Sequence, residues 1–417
     1  MSELHTKKKI LIVDRKKRLF VQDKSFTRIF DLIRKEIDVE IFWLLVNPEV
    51  KSKTSPLKIN YKNFEDYKTD NIQEILKDES PNLVIIVNDY DFLIRAFIPA
   101  AKKLEIPTVL MLQNLNVPGY LENMDIEFLK TTMKIVHQNW KDILSRFWIM
   151  IKNYRYANFS IFSILKIIFS ESFIPLKQFK QPRGKYGCDL ILVSGNAMKK
   201  ELEKYKMNSK IVLTGRALLD DLYYYIQSYK NKTNKKLMIT LMTTPLVEHK
   251  MWSVEEWETT ILEILQAVNN LKDVDLQIKI HPLSENLNTY KNLLSKNNLS
   301  FPIFQKEELE RIIMPSDIVI TYGYSSGTLE ANLMKKPVIV INLYDYPLEK
   351  MPFVKYGLAY ELNDIKKLKQ TIEKINIEKI DDIKLSRFIS DTIFKFDGKA
   401  TKRSAEAILD ILNQKIY

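Results

Sequence analysis

Short runs rich in Ile, Val and Leu alternate with helix-length amphipathic segments from one end of this chain to the other. That alternation constrains the fold more than any single motif. The early runs occupy residues 9–13, 39–45, 83–87 and 108–112, and "CDLILVSG" (188–195) and "KIVLTG" (210–215) continue the series. A strand that is apolar along its whole length is buried on both faces, and an intervening helix supplies the crossover that parallel pairing needs. The pattern predicts an α/β fold with parallel sheets covered by helices.

A chain of 417 residues is too long for one hydrophobic core, so two domains are expected. The composition changes at "SYKNKTNKK" (228–236), a polar, basic stretch that reads as a linker. A second strand series follows at 237–242, 275–281, 317–321 and 337–342. The expected boundaries are a first domain over 1–227, the linker over 228–236 and a second domain over 237–394. Hydrophobic content of 46% and charged content of 28% are those of a folded protein. The single cysteine, Cys188, excludes an internal disulfide and suits a reducing compartment. The start, "MSELHTKKKILIVD", runs from polar residues straight into a strand without the pattern of a signal peptide, so a cytoplasmic location is expected. The longest apolar stretch, 158–176, is interrupted by Lys166 and Glu171 and is too polar to span a membrane.

The net charge of +12 points to an anionic partner: nucleic acid, nucleotide or an anionic membrane surface. Lysine is also inflated by low-GC coding, so the location of the charge matters more than its sum. An atypical insertion lies at about 122–185, between the fourth and fifth early strands. Within 141–180 it carries seven Lys/Arg against two Asp/Glu, interleaved with Phe147, Trp148, Tyr154, Tyr156, Phe159, Phe162, Phe169, Phe173 and Phe179. Basic residues among aromatics suit an interfacial helix resting on anionic lipid, and equally a helical insert that packs its rings into the first domain. No nucleic-acid module accompanies it, and no nucleic-acid partner is expected.

Three strand ends of the second series offer groups for binding an anion. In "DIVITYGYSSGTLEANLMKKPVIVI" (317–341) a strand leads through Tyr322, Gly323 and Tyr324 to a helix expected to begin at Ser325 or Ser326. Serine is a good N-cap, and the free N–H groups of a first helical turn attract anions. Gly327 would let a phosphate approach the backbone, with Thr328 beside it. Glu330 lies too far along to cap the helix but could accept hydrogen bonds from ribose. "DLQIKIHPLSE" (275–285) ends a strand at Lys279, His281 and Pro282, and "LMTTP" (241–245) ends another at Thr243 and Thr244. Ligands of open parallel sheets bind at such carboxyl ends. The four histidines, His5, His137, His249 and His281, are scattered, and no metal site is expected.

"IKIHP" (278–282) with "YSSGTLEA" (324–331) resembles the GT-B glycosyltransferase superfamily. The nearest likeness is to surface-polysaccharide enzymes: bacterial polysialyltransferases, capsule Kdo transferases and CDP-glycerol glycerophosphotransferases of teichoic acid synthesis. More weakly, 188–215 resembles the end of a GT-B first domain. "KFDGKATKRSAEAILDIL" (395–412) resembles the closing helix, expected over 395–417, that crosses back to that domain. The resemblance implies two Rossmann-like domains facing a central cleft, the basic aromatic insertion belonging to the first. It implies a metal-independent transferase without cofactor, acting on a CMP-, CDP- or UDP-linked donor and a glycan or lipid-linked acceptor; with the basic aromatic insertion, a peripheral place on the inner face of the cell membrane is expected. His281, expected to be catalytic as well, would hold the donor phosphate with Ser325 and Ser326, with Thr243, Thr244, Lys279, Gly327 and Thr328 around it and Glu330 on the ribose.

The first domain should supply a general base for the acceptor hydroxyl. Its strand ends offer Asp14 and Arg15, Asn88 and Asp89, and Gln113 and Asn114; Asp89 is the chosen candidate, with helix capping by Asp89 or Asp91 the competing explanation. Two other functions fit the fold. A nucleotide-sugar 2-epimerase would carry a Gly-Thr-Arg-Pro-like loop and a His-Val-Glu-Ala-Gly-like run, where this chain has "VDRKKRLF" (13–20) and "LMLQNLNVPGY" (110–120). A non-catalytic nucleotide- or lipid-binding scaffold is the third.

Overall fold

The computed structural model describes residues 7–14, 24–46, 60–87, 89, 91–112, 140–172, 186–205, 208–230, 236–248, 252–322, 325–343, 352–375 and 380–413. Arg15, Asn88, Gln113, Asn114, Gly323 and Tyr324 lie outside these, as do His5, His137 and His249. The chain divides into two compact units. The first comprises the described residues up to Asp220 together with 390–413, and the second comprises those of 221–389.

In the first unit β1 (Lys8–Asp14), β2 (Val39–Leu45), β3 (Asn60–Asn63), β4 (Leu83–Ile86), β5 (Thr108–Leu112), β6 (Leu190–Val193) and β7 (Lys210–Leu213) form one sheet. Their order is β3-β2-β1-β4-β5-β6-β7 and every pairing is parallel. Alternate residues feed opposite faces. Leu11, Val13, Phe42 and Leu44 join one core, whereas Ile10, Ile12, Ile41, Trp43 and Leu45 join another. The second core is completed by Ala405, Ile408, Ile411 and Leu412 of the Ala400–Asn413 helix. Asp220 seats that helix by accepting the Ala400 and Thr401 N–H groups at 3.1 and 2.7 Å. Gly195 makes room for the chain leading there, because a Cβ on it would lie 2.3 Å from the Asp391 carbonyl oxygen.

The second unit holds β8 (Leu237–Met242), β9 (Val274–Lys279), β10 (Ile303–Phe304), β11 (Ile318–Tyr322), β12 (Val338–Ile341) and β13 (Tyr360–Leu362), in the order β10-β9-β8-β11-β12-β13 and again all parallel. The two parallel-sheet α/β units are those the sequence pattern predicts. In both sheets the strand order reverses beside the first strand, between β1 and β4 and between β8 and β11. Such a switch point opens a crevice outside the carboxyl ends. No helix among the described residues is long and apolar enough to cross a membrane.

The same device pins both reversals from the opposite edge. Asn82, just before β4, accepts the Lys9 N–H at 2.7 Å, and Asp317, just before β11, accepts the Met238 N–H at 2.8 Å. Away from the sheet ends, Glu79 ties three elements of the first unit together. Its buried carboxylate accepts hydrogen bonds from Lys9 Nζ at 2.5 Å, Lys62 Nζ at 2.6 Å and the Tyr67 hydroxyl at 2.6 Å. Burial alone would raise its pKa, but the hydrogen bonds from Lys62, Lys9 and Tyr67 outweigh it and bring the group down to about 2. A carboxylate held below its ordinary 4.5 adds stability above that value and loses it as pH falls toward 2. Glu79→Gln should therefore cost about 1.5–3 kcal/mol at neutral pH. The deficit against wild type should shrink in acid, as read from melting temperatures across that interval.

Candidate functional site

At the carboxyl edge of the second sheet the side chains are held by one buried acid. Glu285 sits four residues beyond His281, at the end of the turn that follows β9. Its carboxylate accepts the Thr243 hydroxyl at the end of β8, the His281 backbone N–H at 2.5 Å and the Tyr290 hydroxyl at 2.5 Å. Tyr290 belongs to the Leu287–Lys296 helix and takes a further hydrogen bond from Trp257 Nε1 at 3.2 Å. Gln305, just past β10, donates its side-chain amide to the Glu285 carbonyl at 2.7 Å. Burial pushes the Glu285 carboxyl above the usual carboxylate range, against the hydrogen bonds from Thr243, Tyr290 and the His281 N–H.

The Thr244 hydroxyl donates to the Tyr322 carbonyl at 2.9 Å, joining the ends of β8 and β11 across the switch point. Trp252 stacks on Tyr322 with ring centroids 5.2 Å apart. Burial, followed by the nearby Glu285, raises the Tyr322 hydroxyl well above its ordinary value, so it stays a neutral phenol.

His281 stands half-buried at this edge. Its Nδ1 accepts two backbone N–H groups, from Leu283 at 3.3 Å and Ser284 at 3.1 Å. A nitrogen that accepts twice carries no proton, which assigns the ring proton to Nε2. In that tautomer His281 presents a hydrogen-bond donor, the form suited to a phosphate oxygen.

Beside it, Lys279 has a different part from the one its position in the sequence suggests. Its ammonium donates to the Ile280 and Gln305 carbonyls at 3.1 and 2.7 Å, binding the end of β9 to the segment after β10. Burial lowers its pKa, while Glu307, Glu285, Glu308 and Glu330 pull it back up.

The helix after β11, Gly327–Leu333, begins differently from the expected serine cap. Ser326 occupies the cap position in helical conformation, and its side chain makes no capping hydrogen bond. The Ser325 and Ser326 carbonyls instead accept the Thr328 and Leu329 N–H groups at 3.2 and 3.1 Å, because the helical turn starts one residue early. Gly327 packs closely against β8: a Cβ there would meet Met242 Sδ at 2.5 Å. Thr328 is buried, and its hydroxyl has no hydrogen-bond partner among the described residues.

In the first unit the two acids of "NDYD" separate. Asp91 caps the Phe92–Arg95 helix through the Leu93 and Ile94 N–H groups and pairs with Arg146 at 2.8 Å. Asp89 is not the cap; it is fully buried, its carbonyl accepts Arg95 Nε at 3.0 Å, and its charge adds to the burial that raises the Cys188 thiol. Asp14, also buried, is the last residue of β1 at that sheet's switch point.

Neither a protein-family model nor a curated protein matches this sequence. Solved structures match it over nearly its whole length. The UDP-GlcNAc 2-epimerase of Neisseria meningitidis, solved bound to UDP-GlcNAc, superposes with a TM-score of 0.55 at 13% identity, covering 96% of this chain and 100% of that one. The calicheamicin glycosyltransferase CalG4 gives a TM-score of 0.55 at 12% identity over 99% of this chain and 100% of its own. MurG of Acinetobacter baumannii gives 0.51 at 11% identity, with 97% and 99% covered.

The chain has the GT-B fold.

Within this GT-B chain, Glu285 and Tyr290 are the site residues that motif reading passes over. The available signal was an acid four residues after the histidine of "HPLSE", followed five residues later by a tyrosine on the next helix. Glu285→Ala should destabilise the protein by about 1–3 kcal/mol by stranding buried donors. Because burial raises the folded-state pKa of Glu285, ionising it opposes folding, and its contribution is lost as pH rises through that value. As pH rises above the ordinary carboxylate value of 4.5, the melting temperature of Glu285→Gln should therefore rise relative to wild type. Glu79 is ionised above that value and does not contribute to the difference.

Proposed function

We propose that the protein is a nucleotide-dependent transferase that moves a sugar or polyol phosphate from a nucleotide-activated donor to a glycan or lipid-linked acceptor in cell-surface polysaccharide synthesis. The observation that carries this reading is His281, fixed as an Nε2–H donor at a strand end beside the β8–β11 switch point. In this reading His281 donates to the phosphate at the departing bond, and the Ser325–Ser326 turn adds hydroxyl and backbone donors. Glu330 accepts from the ribose. Neutral N–H donors already in place stabilise charge developing on a leaving phosphate without reorganising. Thr243 and Thr244 act through the chain, since their hydroxyls hold Glu285 and Tyr322. Asp89 remains the candidate base for the acceptor hydroxyl. CMP- or CDP-linked donors are favoured by the His-Pro and Ser-Ser pair, with UDP-linked donors next.

A thermal-shift panel of CMP, CDP, UDP and GDP tests the donor half. A nucleotide at a hundredfold its Kd should stabilise the protein by about 2.7 kcal/mol. His281→Ala should weaken that nucleotide about 10- to 100-fold, the loss of one charge-assisted hydrogen bond, while Asp89→Asn should keep binding and lose transfer. If no nucleotide moves the melt, or if His281→Ala and Ser326→Ala both transfer like wild type, the reading is wrong. Inversion of a UDP-linked sugar at its second carbon without any acceptor would identify an epimerase. Nucleotide binding with every measured activity unaffected by His281→Ala would identify a scaffold.

A further inference from the structure

We propose that the helical hairpin over 140–172 docks the first unit onto an anionic lipid bilayer. The hairpin consists of the Trp140–Tyr156 and Ile161–Ser172 helices, inserted between β5 and β6. Its inner side belongs to the fold. Phe147, Met150, Ile151 and Tyr154 recur at helical spacing and join the first unit's core, as do Ile164, Ile167 and Ile168 of the second helix. Polar bolts fix it in place. Asn153, fully buried, accepts the Ile72 N–H at 2.9 Å and donates to the Asp70 carbonyl at 2.8 Å, and Arg146 reaches Asp91.

The outer side also carries large apolar side chains. Trp140, Leu144 and Trp148 follow one another at four-residue intervals on the first helix and are all exposed, Trp148 by 56%. On the second helix Ile161 is 75% exposed, Phe162 84% and Phe169 68%, with Leu165 between them. Large aromatics this exposed are unusual on a surface that faces only water. Because the inner sides are bolted down, a small rotation cannot bury these stripes.

Charge selects the occupant. Over 140–172 there are five basic residues and two acidic ones, and Arg146 takes up one of the acids, Asp142. Lys141, Arg155 and Lys166 stand exposed on the same two helices. Aromatic rings flanked by lysine and arginine match a bilayer interface, where rings enter the headgroup boundary and cations meet lipid phosphates. A second copy of this chain placed face to face on the hairpin would oppose like charges. This docking surface lies in the first unit and does not depend on the donor site in the second.

Flotation of the full chain tests it, using vesicles of phosphatidylcholine alone or mixed with phosphatidylglycerol. Wild type should float with the mixed vesicles, much less with phosphatidylcholine, and less again at high salt. Phe162→Ser with Phe169→Ser removes only exposed rings and should weaken binding about a hundredfold while leaving the melting temperature unchanged. Lys166→Glu with Arg155→Glu should lose the preference for anionic lipid. Failure of wild type to float on the mixed vesicles overturns the proposal, as does wild-type flotation by the Phe162/Phe169 variant. A wild-type dimer that this variant converts to monomer would make the hairpin a self-interface and overturn it equally.

Discussion

One buried carboxylate decides where the polar ends of the second sheet come to rest. Burying Glu285 among Trp257, Tyr290 and Tyr322 is costly unless its oxygens are satisfied, and they are, by a hydroxyl from each of two elements and a backbone N–H from a third. Each donor comes from a segment that must turn at the carboxyl edge: the end of β8, the start of the His281 turn and the Leu287–Lys296 helix. An apolar residue of equal volume would fill the space and leave all three free to choose other positions. The orientation of the His281 ring follows from this. Glu285 fixes the His281 backbone, and the turn that Glu285 closes presents the Leu283 and Ser284 N–H groups to Nδ1.

The two sheets solve their common problem at opposite edges. At the amino edge, Asn82 and Asp317 each stand before the fourth strand of their sheet and hold the N–H of the first strand. That contact fixes register where the strand order reverses, and register fixes which side chains reach the crevice at the other end. Rigidity at the amino edge thus leaves the carboxyl edge able to carry polar groups whose first task is not holding the sheet. In the second unit those groups are His281 and Ser325, while Thr243 and Thr244 tie the edge together.

Fold class was legible because it rests on hydrophobic period, a property of many residues at once. The β2, β5 and β8 runs stand where the apolar pattern puts them, since fully apolar strands have only one stable environment. β3, β10 and β13 escaped notice because they are edge strands of two to four residues, and β3, Asn60–Asn63, is also polar. The site was legible as a location and less so as chemistry. Which strand ends share an edge follows from parallel pairing, so His281, Thr243 and Ser325 could be grouped. What each polar atom bonds to depends on three-dimensional neighbours. Hence it could not be read that Lys279 braces the end of β9, that Gly327 packs against Met242, or that Ser326 makes no side-chain cap.

Charge makes the same point from the other direction. An excess of +12 invites the idea that lysine and arginine greet a nucleotide phosphate. Around β9 the balance is the reverse: the ammonium of Lys279 is buried, bound to carbonyls, and surrounded by Glu285, Glu307, Glu308 and Glu330. Under the proposed function the donor phosphate at that edge is met by N–H and O–H dipoles fixed in advance, because the ammonium of Lys279 is already bound to carbonyls. Preformed dipoles in a partly desolvated crevice suit that task better than a mobile lysine, since they need no reorganisation as charge builds on the leaving group. Part of the chain's positive excess instead sits on the outer side of the 140–172 hairpin, beside exposed aromatic rings. In the two proposals the donor is met by fixed dipoles at the second sheet's edge and the lipid by charge on the hairpin, so each can be altered without disturbing the other.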